Sequence, residues 1–410
     1  MSGARPGIAS AAEAPLRILV LNERDLEHPK AGGAEVHVDR LFARLAARGH
    51  RVVQYSAGFR GGARRARIHG VEIERRGPLP AYYLGLPQRV GRACRRGEFD
   101  VVVECLNKLP FYSPLYAGVP VLALCHHLFG EVAWDQAAWP IAAVVRGAEL
   151  GLPLAYRGCD LLAISPSTRD DLVARGLPPE RIRTSLPGID RPARVVDPEA
   201  PRPPRLVYVG RLEAYKHVEL LFEAAALLVP RHPDLELVVI GRGAERARLE
   251  ARAAALGLAG RTRFTGHVDD AERDALLAGA RACVFPSLKE GFGLTVVEAN
   301  ALATPVVARD APGLRDSVRD GETGRLVAGD DPADWAHALA PLLEESAATL
   351  ALRRSALAFS RRFDWDRAAD ELLAAIEARL ARARSGAPSP APQTMPAPAK
   401  APKPPAEKPR

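Results

Sequence analysis

Cysteine is scarce in this chain of 410 residues. The five, Cys94, Cys105, Cys125, Cys159 and Cys283, are scattered, odd in number and never in a C-x-x-C pair. That argues against a disulfide framework and against a zinc site, and fits a reducing cytoplasm. Long apolar runs are missing as well: none approaches the roughly 20 residues that a spanning helix needs. The first fifteen residues (MSGARPGIASAAEAP) hold no apolar h-region and read as a disordered lead, not a signal peptide. No nucleic-acid motif is present and no aromatics interleave with the basic residues, so nucleic acid is set aside as a partner.

What is there reads as soluble and globular, with 47% hydrophobic and 26% charged residues. The length favours two or three domains. The net charge of +8 is uneven: ten arginines fall between Arg60 and Arg96 against only Glu72 and Glu74. Two readings stay open, an anionic membrane surface as partner or a plain solvated loop.

Short apolar runs of strand length alternate with helical patterns. "RILVL" (17–21) precedes the helical pattern "AEVHVDRLFARLAARGH", in which Ala34, Val38, Leu41 and Leu45 form one stripe and Gly49 supplies a stop. Further strands are expected at 51–57, 99–104, 119–124 and 159–165. A Pro-rich, charged stretch without periodicity follows as a linker. The alternation then restarts, with strands near 206–210, 235–241, 261–266, 282–286 and 304–308 and helices 217–229, 244–256, 270–281 and 294–303 between them. Two helical stretches, 332–361 and 364–384, close the fold. "DWD" (364–366) resembles a D-x-D metal motif but reads as the capped start of the last helix, so no metal is implied.

Continuous apolar strands separated by helices indicate parallel sheets covered on both faces. The expected α/β fold is two Rossmann-like domains facing across a cleft, 16–190 and 205–362, with 191–204 as linker. A closing helix 363–384 should cross back to the first domain, and the Pro/Ala/Lys tail 385–410 should be disordered. Parallel sheets bind ligands outside the carboxyl ends of their strands, which puts the site between the domains.

"VGRLEAYK" places Gly210, Arg211 and Lys216 just past a strand end, where two cations suit a diphosphate. A βα turn with two surface cations would look the same. "IGRGAE" (240–245) is a second such turn, not a full G-x-G-x-x-G. "PSLKEGFGLTVVEANALATPVVARD" (286–310) carries more. Gly291-Phe292-Gly293 breaks the chain just before a helix, so amides near Leu294 and Thr295 should be free to face an anion. Glu290 and Glu298 cannot bind phosphate, but they can bind hydroxyls.

Here "KEGFGLTVVEA" resembles the E-x7-E signature of glycosyltransferase family 4, retaining enzymes of the GT-B fold, and the likeness runs over roughly 16–384. It implies that Glu290 holds hydroxyls of a donor hexose and Glu298 the ribose of its nucleotide, with Arg211 and Lys216 on the diphosphate. Val268 would face the base through its backbone, with Asp270 nearby. "KAGGAE" (30–35) resembles the family's glycine loop, with Gly32 and Gly33 beside diphosphate and acceptor. "PVLALCHH" (120–127) resembles a strand ending in His-Asp, which gives His126 a place near the transferring centre. His127 departs from that pattern, as does His217 after Lys216 and "LPGID" for "NGVD". "AISPSTRDDL" (163–172) resembles the serine-containing segment, and Ser167 with Asp170 also makes a helix cap.

The resemblance implies retaining transfer of a hexose from a UDP- or GDP-sugar to a saccharide or lipid-linked acceptor in polysaccharide or glycolipid biosynthesis. No cofactor is implied, and the expected place is the cytoplasm, peripheral at the inner face of the membrane. The departing phosphate would take the acceptor proton, since no carboxylate nucleophile is evident on the first domain. The rival readings are a nucleotide-sugar epimerase on the same fold and a non-catalytic nucleotide-sugar-binding partner.

Overall fold

A computed structural model describes residues 14–385, apart from 108, 129–138 and 194 and the side chains of 140–142. Nearly all of the expected lead, and the tail beyond Ser385, lie outside the described residues.

Two sheets carry the fold. The first has the order β3-β4-β2-β1-β5-β6-β7-β8. Its strands are β1 (Arg17–Leu21), β2 (Arg51–Ser56), β3 (Arg65–Ile68), β4 (Val71–Arg75), β5 (Val101–Leu106), β6 (Val121–Cys125), β7 (Asp160–Ala163) and β8 (Ile182–Thr184). All neighbours are parallel except the β3–β4 pair. The second sheet, β11-β10-β9-β12-β13-β14, is parallel throughout. It is built from β9 (Arg205–Val209), β10 (Glu236–Ile240), β11 (Thr262–Gly266), β12 (Ala282–Phe285), β13 (Val306–Arg309) and β14 (Gly324–Val327). The central strands β5, β6, β12 and β13 are buried along their whole length, as apolar runs covered by helices on both faces must be.

The terminal helix Trp365–Arg384 packs on the first sheet, although the chain has by then built the second. Trp365, Ala369, Leu372 and Ile376 sit in one core with Ile18, Val38, Leu41 and Val103. Arg44 pairs with Asp366 at 2.7 Å, Arg48 with Asp370 at 2.7 Å and Arg382 with Asp160 at 2.8 Å. Asp364 caps the helix, accepting from the amides of Asp366 and Arg367 at 2.8 and 3.0 Å.

Three local expectations are corrected, and the linker is found to follow a fixed path. The stretch 332–361 is two helices, Pro332–Leu339 and Ala347–Ser360, because Ser346 caps the second through the Thr349 amide. In "AISPSTRDDL" the cap is Ser165, which accepts from the Thr168 amide; Ser167 lies inside the helix, its amide donating to Asp316. The linker is stapled along the second domain. Arg353, itself buried, donates to the carbonyls of Pro198 and Ala200, and Arg202 to those of Ala280 and Leu302.

The third correction concerns the arginine-rich segment, which is not one loop but the β3–β4 hairpin and the helix Leu79–Arg95. Arg75 is withdrawn from its surface. As the last residue of β4 it turns inward, donates to both oxygens of Asp25 at 2.7 Å and stacks its guanidinium 4.9 Å from the Phe59 ring centre. Glu74 gathers Arg65, Arg76 and Arg89 within 3.2–3.7 Å. Arg60, Arg64, Arg67, Arg92, Arg95 and Arg96 stay exposed.

Candidate functional site

The carboxyl ends of both sheets open on one cleft of about 690 Å³. One wall belongs to the first domain: Arg24 past β1, Gly32–Glu35 at the start of the first helix, Asn107 past β5 and His126 past β6. The opposite wall is Gly210, Arg211 and Lys216 past β9 and Lys289–Thr295 past β12.

Two helix N-termini meet at the cleft. Gly293 adopts φ 85°, a backbone that only glycine takes without strain, and so turns the chain into the helix Leu294–Ala301. The first hydrogen bond after it runs from the Val296 amide to the Gly293 carbonyl at 3.0 Å, so the amides of Leu294 and Thr295 precede the helical ladder. In the first domain the Glu35 carboxylate accepts from the Gly32 amide at 2.7 Å and anchors the start of helix Gly33–Ala47. Glu35 therefore stands in the wall as a carboxylate already occupied with the backbone.

Lys216 and Glu290 form an ion pair in the second wall. The ammonium also lies 4.8 Å from the Tyr215 ring centre. Burial disfavours the charge, but Glu290, Tyr215 and the hydrogen bond outweigh it, and the Lys216 pKa rises above its ordinary value. Arg211 is exposed beside it, donating to the Tyr215 hydroxyl at 3.1 Å.

His126 is held from three sides. Its amide donates to Leu106 at 3.0 Å, its carbonyl accepts from Thr168 Oγ1 at 3.3 Å, and Nε2 lies 3.0 Å from Nδ1 of His37. Burial drives the His126 pKa well below the usual range, and that of His37 down to about 3, so both rings are neutral near pH 7.

The structure thus brings His126, Gly32, Gly33, Gly210, Arg211, Lys216, Glu290, Gly291, Phe292, Gly293, Leu294 and Thr295 to one place. It does not bring Glu298, Val268 or Asp270 into that wall. Glu298, one turn into its helix, is half-buried; burial raises its pKa while Arg273 pulls it down. Asp270 pairs with Arg273 at 2.8 Å, and Val268 packs on the second domain's core. Sequence reasoning passed over Arg24, Lys30, His37, Asn107 and Lys289, which also line the cleft. Position past a strand end would have singled out Arg24 and Asn107. His37, the fifth residue of the helix Gly33–Ala47, gave no such signal.

The profile described as "Glycosyltransferase Family 4" matches residues 31–192, and "Glycosyl transferases group 1" matches 191–359. The chain is 34% identical over 286 residues to the D-inositol 3-phosphate glycosyltransferase of Salinispora tropica, a match spanning 62% of this chain but 58% of that relative. With D-inositol 3-phosphate glycosyltransferase 2 of Catenulispora acidiphila it shares 30% identity over 377 residues, 82% of this chain and 87% of the relative. The structure superposes on Anabaena Alr3699/HepE, solved in complex with UDP-glucose, with TM-score 0.68 at 20% identity, covering 91% of this chain and all of that one. The matches span only about half the length of the first of these curated relatives, but with both halves matched and the cleft between them, the chain belongs to glycosyltransferase family 4 and has the GT-B fold.

Proposed function

We propose that the enzyme moves a hexose from a nucleoside diphosphate sugar to an acceptor hydroxyl with retention at the anomeric carbon. The observation that carries this is the Lys216–Glu290 pair beside Arg211 and the Leu294 helix start, cations and free amides gathered on one wall. As the anomeric C–O bond breaks, negative charge grows on the departing diphosphate. Lys216, Arg211 and the Leu294 and Thr295 amides meet that charge, a role worth several kcal/mol. Glu290 and His126 take hydroxyls of the hexose. The departing phosphate oxygen accepts the acceptor's proton while the acceptor oxygen bonds to the anomeric carbon, leaving a nucleoside diphosphate and a glycoside. These cations do the work that a metal does elsewhere, so activity should survive EDTA.

The roles of Glu298 on the ribose, and of Val268 and Asp270 at the base, require the second domain to adjust around the nucleotide. UDP is favoured over GDP by the UDP-glucose complex of the Anabaena neighbour. For the acceptor, a saccharide or lipid-linked glycan in polysaccharide or glycolipid biosynthesis is one reading, with peripheral docking through Arg60, Arg64, Arg92 and Arg95. The relatives' name favours a second, a phosphorylated inositol, and the Arg24 and Lys30 cations of the first wall suit its charge.

The test is a thermal-shift panel of UDP, GDP, ADP and their sugar conjugates on wild type and Arg211→Ala. It is followed by NMR of the product anomer formed from each acceptor class. A ligand at about 100 times its Kd stabilises by roughly 2.7 kcal/mol. A shift with one base, reduced by the substitution, and an axial product from an axial donor support the proposal. No shift with any nucleotide, or inversion, overturns it.

A further inference from the structure

We infer that His37 is a positioning residue for His126: it accepts the His126 Nε2 proton and so leaves Nδ1 of His126 as a lone pair that receives a donor-sugar hydroxyl. The inference rests on the reading of the cleft as a nucleotide-sugar site.

Three observations carry it. The two rings meet at 3.0 Å, Nδ1 of His37 to Nε2 of His126, and stand nearly perpendicular, at 87°. Both residues are buried, at 4% and 2% exposure, and both belong to the cleft wall. Among the described residues, Nδ1 of His126 is buried with no partner.

The proton in the His37–His126 bond has two places to be. If His37 donated it, neutral His126 would carry its own proton on Nδ1, a buried N–H with nothing to bind. Orphaned buried N–H groups are rarer than bare acceptors. The other arrangement puts the proton on His126 Nε2, donated to His37, and leaves Nδ1 an acceptor. One ring nitrogen's bond thereby sets what the other can do. A sugar hydroxyl is a donor and matches an acceptor; a phosphate oxygen is an acceptor and does not. The arrangement therefore selects the hexose part of the donor over its diphosphate. Trp365 at the start of the terminal helix also lies against His37, 5.7 Å ring centre to ring centre.

The test compares wild type with His37→Phe, which keeps an aromatic ring and removes the acceptor, and with His37→Asn, whose amide oxygen restores an acceptor near Nδ1. Ring-nitrogen NMR on ¹⁵N-histidine protein, with His126→Asn to assign the signals, reads the tautomer without any substrate. The expected result is a wild-type His126 with the proton on Nε2, lost or mixed in His37→Phe and restored in His37→Asn. For sugar nucleotides, kcat/KM should fall about three- to tenfold in His37→Phe, the range one neutral hydrogen bond spans. Affinity for the plain nucleoside diphosphate should hold, and His37→Asn should recover most of the loss. A proton on Nδ1 in wild type, or a His37→Phe enzyme with unchanged sugar-nucleotide kinetics, overturns the inference. If His37→Phe fails to fold, the wild-type tautomer and His37→Asn kinetics decide. Should no nucleotide bind the wild type, the cleft reading fails by itself, while the tautomer still reports whether His37 holds His126.

Discussion

Glu290→Gln changes one charge and almost no shape, and it separates two jobs that the residue is given. In the ligand-free protein Glu290 holds the Lys216 ammonium, whose side chain is 11% exposed against 19% for the glutamate. A nucleoside diphosphate that uses Lys216 must take it from Glu290. A charge-assisted hydrogen bond nets about 1.5–3 kcal/mol, and the partial exposure of Glu290 places this pair near the lower end, about 1.5 kcal/mol. Removing the carboxylate releases that competition, so UDP or GDP should bind the variant roughly tenfold more tightly. Transfer should nevertheless fall by about a hundredfold if, as proposed, this carboxylate grips the hexose. Isothermal titration with the nucleoside diphosphate and initial-rate kinetics with its sugar conjugate measure the two effects. Unchanged or weaker nucleotide binding would refute the argument, for it would mean that Lys216 is not the cation the diphosphate recruits.

Acid should destabilise the fold through His37. Its folded pKa of about 3 lies below the ordinary 6.5, so the unfolded chain binds the extra proton and stability is lost as pH falls below 6.5. The loss reaches about 2 kcal/mol at pH 5; urea midpoints at pH 7.5 and 5.0 should show it in wild type and show it diminished in His37→Phe. Gly188→Ala should cost about 3 kcal/mol or more, since the added Cβ would fall 2.4 Å from the Trp365 amide nitrogen and 2.7 Å from the Asp364 carbonyl carbon; calorimetry reads the drop in Tm. Arg75→Met should cost about 3–5 kcal/mol by leaving Asp25 buried without its partner, whereas Arg64→Ala, at an exposed position, should stay within about 0.5 kcal/mol. Equal effects from the two arginines would contradict the account of Arg75.

The regular parts of the fold were legible because strands such as Val101–Leu106 and Val121–Cys125 are buried on both faces and show it as unbroken apolar runs. The hairpin Arg65–Ile68 and Val71–Arg75 was hidden, since its outer strand is largely exposed and offers only "RARI" to the eye. The helix Leu79–Arg95 was hidden for another reason: Pro87, Gly85 and Gly91 contradict helical propensity, and packing of Tyr82, Leu86 and Val90 overrides it. At the site, charge and glycine were readable and partnership was not. Nothing in the sequence ties Lys216 to Glu290, 74 positions away, or His37 to His126, 89 positions away. Each pair forms within one domain, where a sheet gathers distant segments at its carboxyl end, and the cleft itself arises once the two sheets set those ends against each other.

That opposition depends on two chain crossings that touch. The chain leaves the first domain through 185–191 and returns through 361–365. Arg191 donates to the carbonyls of Ser360, Arg361 and Phe363 at 3.1 Å. Asp190 accepts from Trp365 Nε1 at 2.9 Å and is gripped by Arg40 of the first helix. Across the cleft the domains also meet at Ser165 Oγ to the Gly291 carbonyl, 3.2 Å, and at Lys289 Nζ to the Leu128 carbonyl, 2.6 Å. Rotation of one domain on the other must pass through the crossings, where backbone lies against backbone at Gly188, whereas across the cleft these two hydrogen bonds are joined by the Ser167 amide to Asp316 at 3.1 Å and the Lys289–Asp171 ion pair at 3.7 Å, polar contacts that can break and re-form. If the domains close around a donor to keep water from the breaking anomeric bond, the tight crossings are the expected pivot and the polar contacts across the cleft the expected edge that opens.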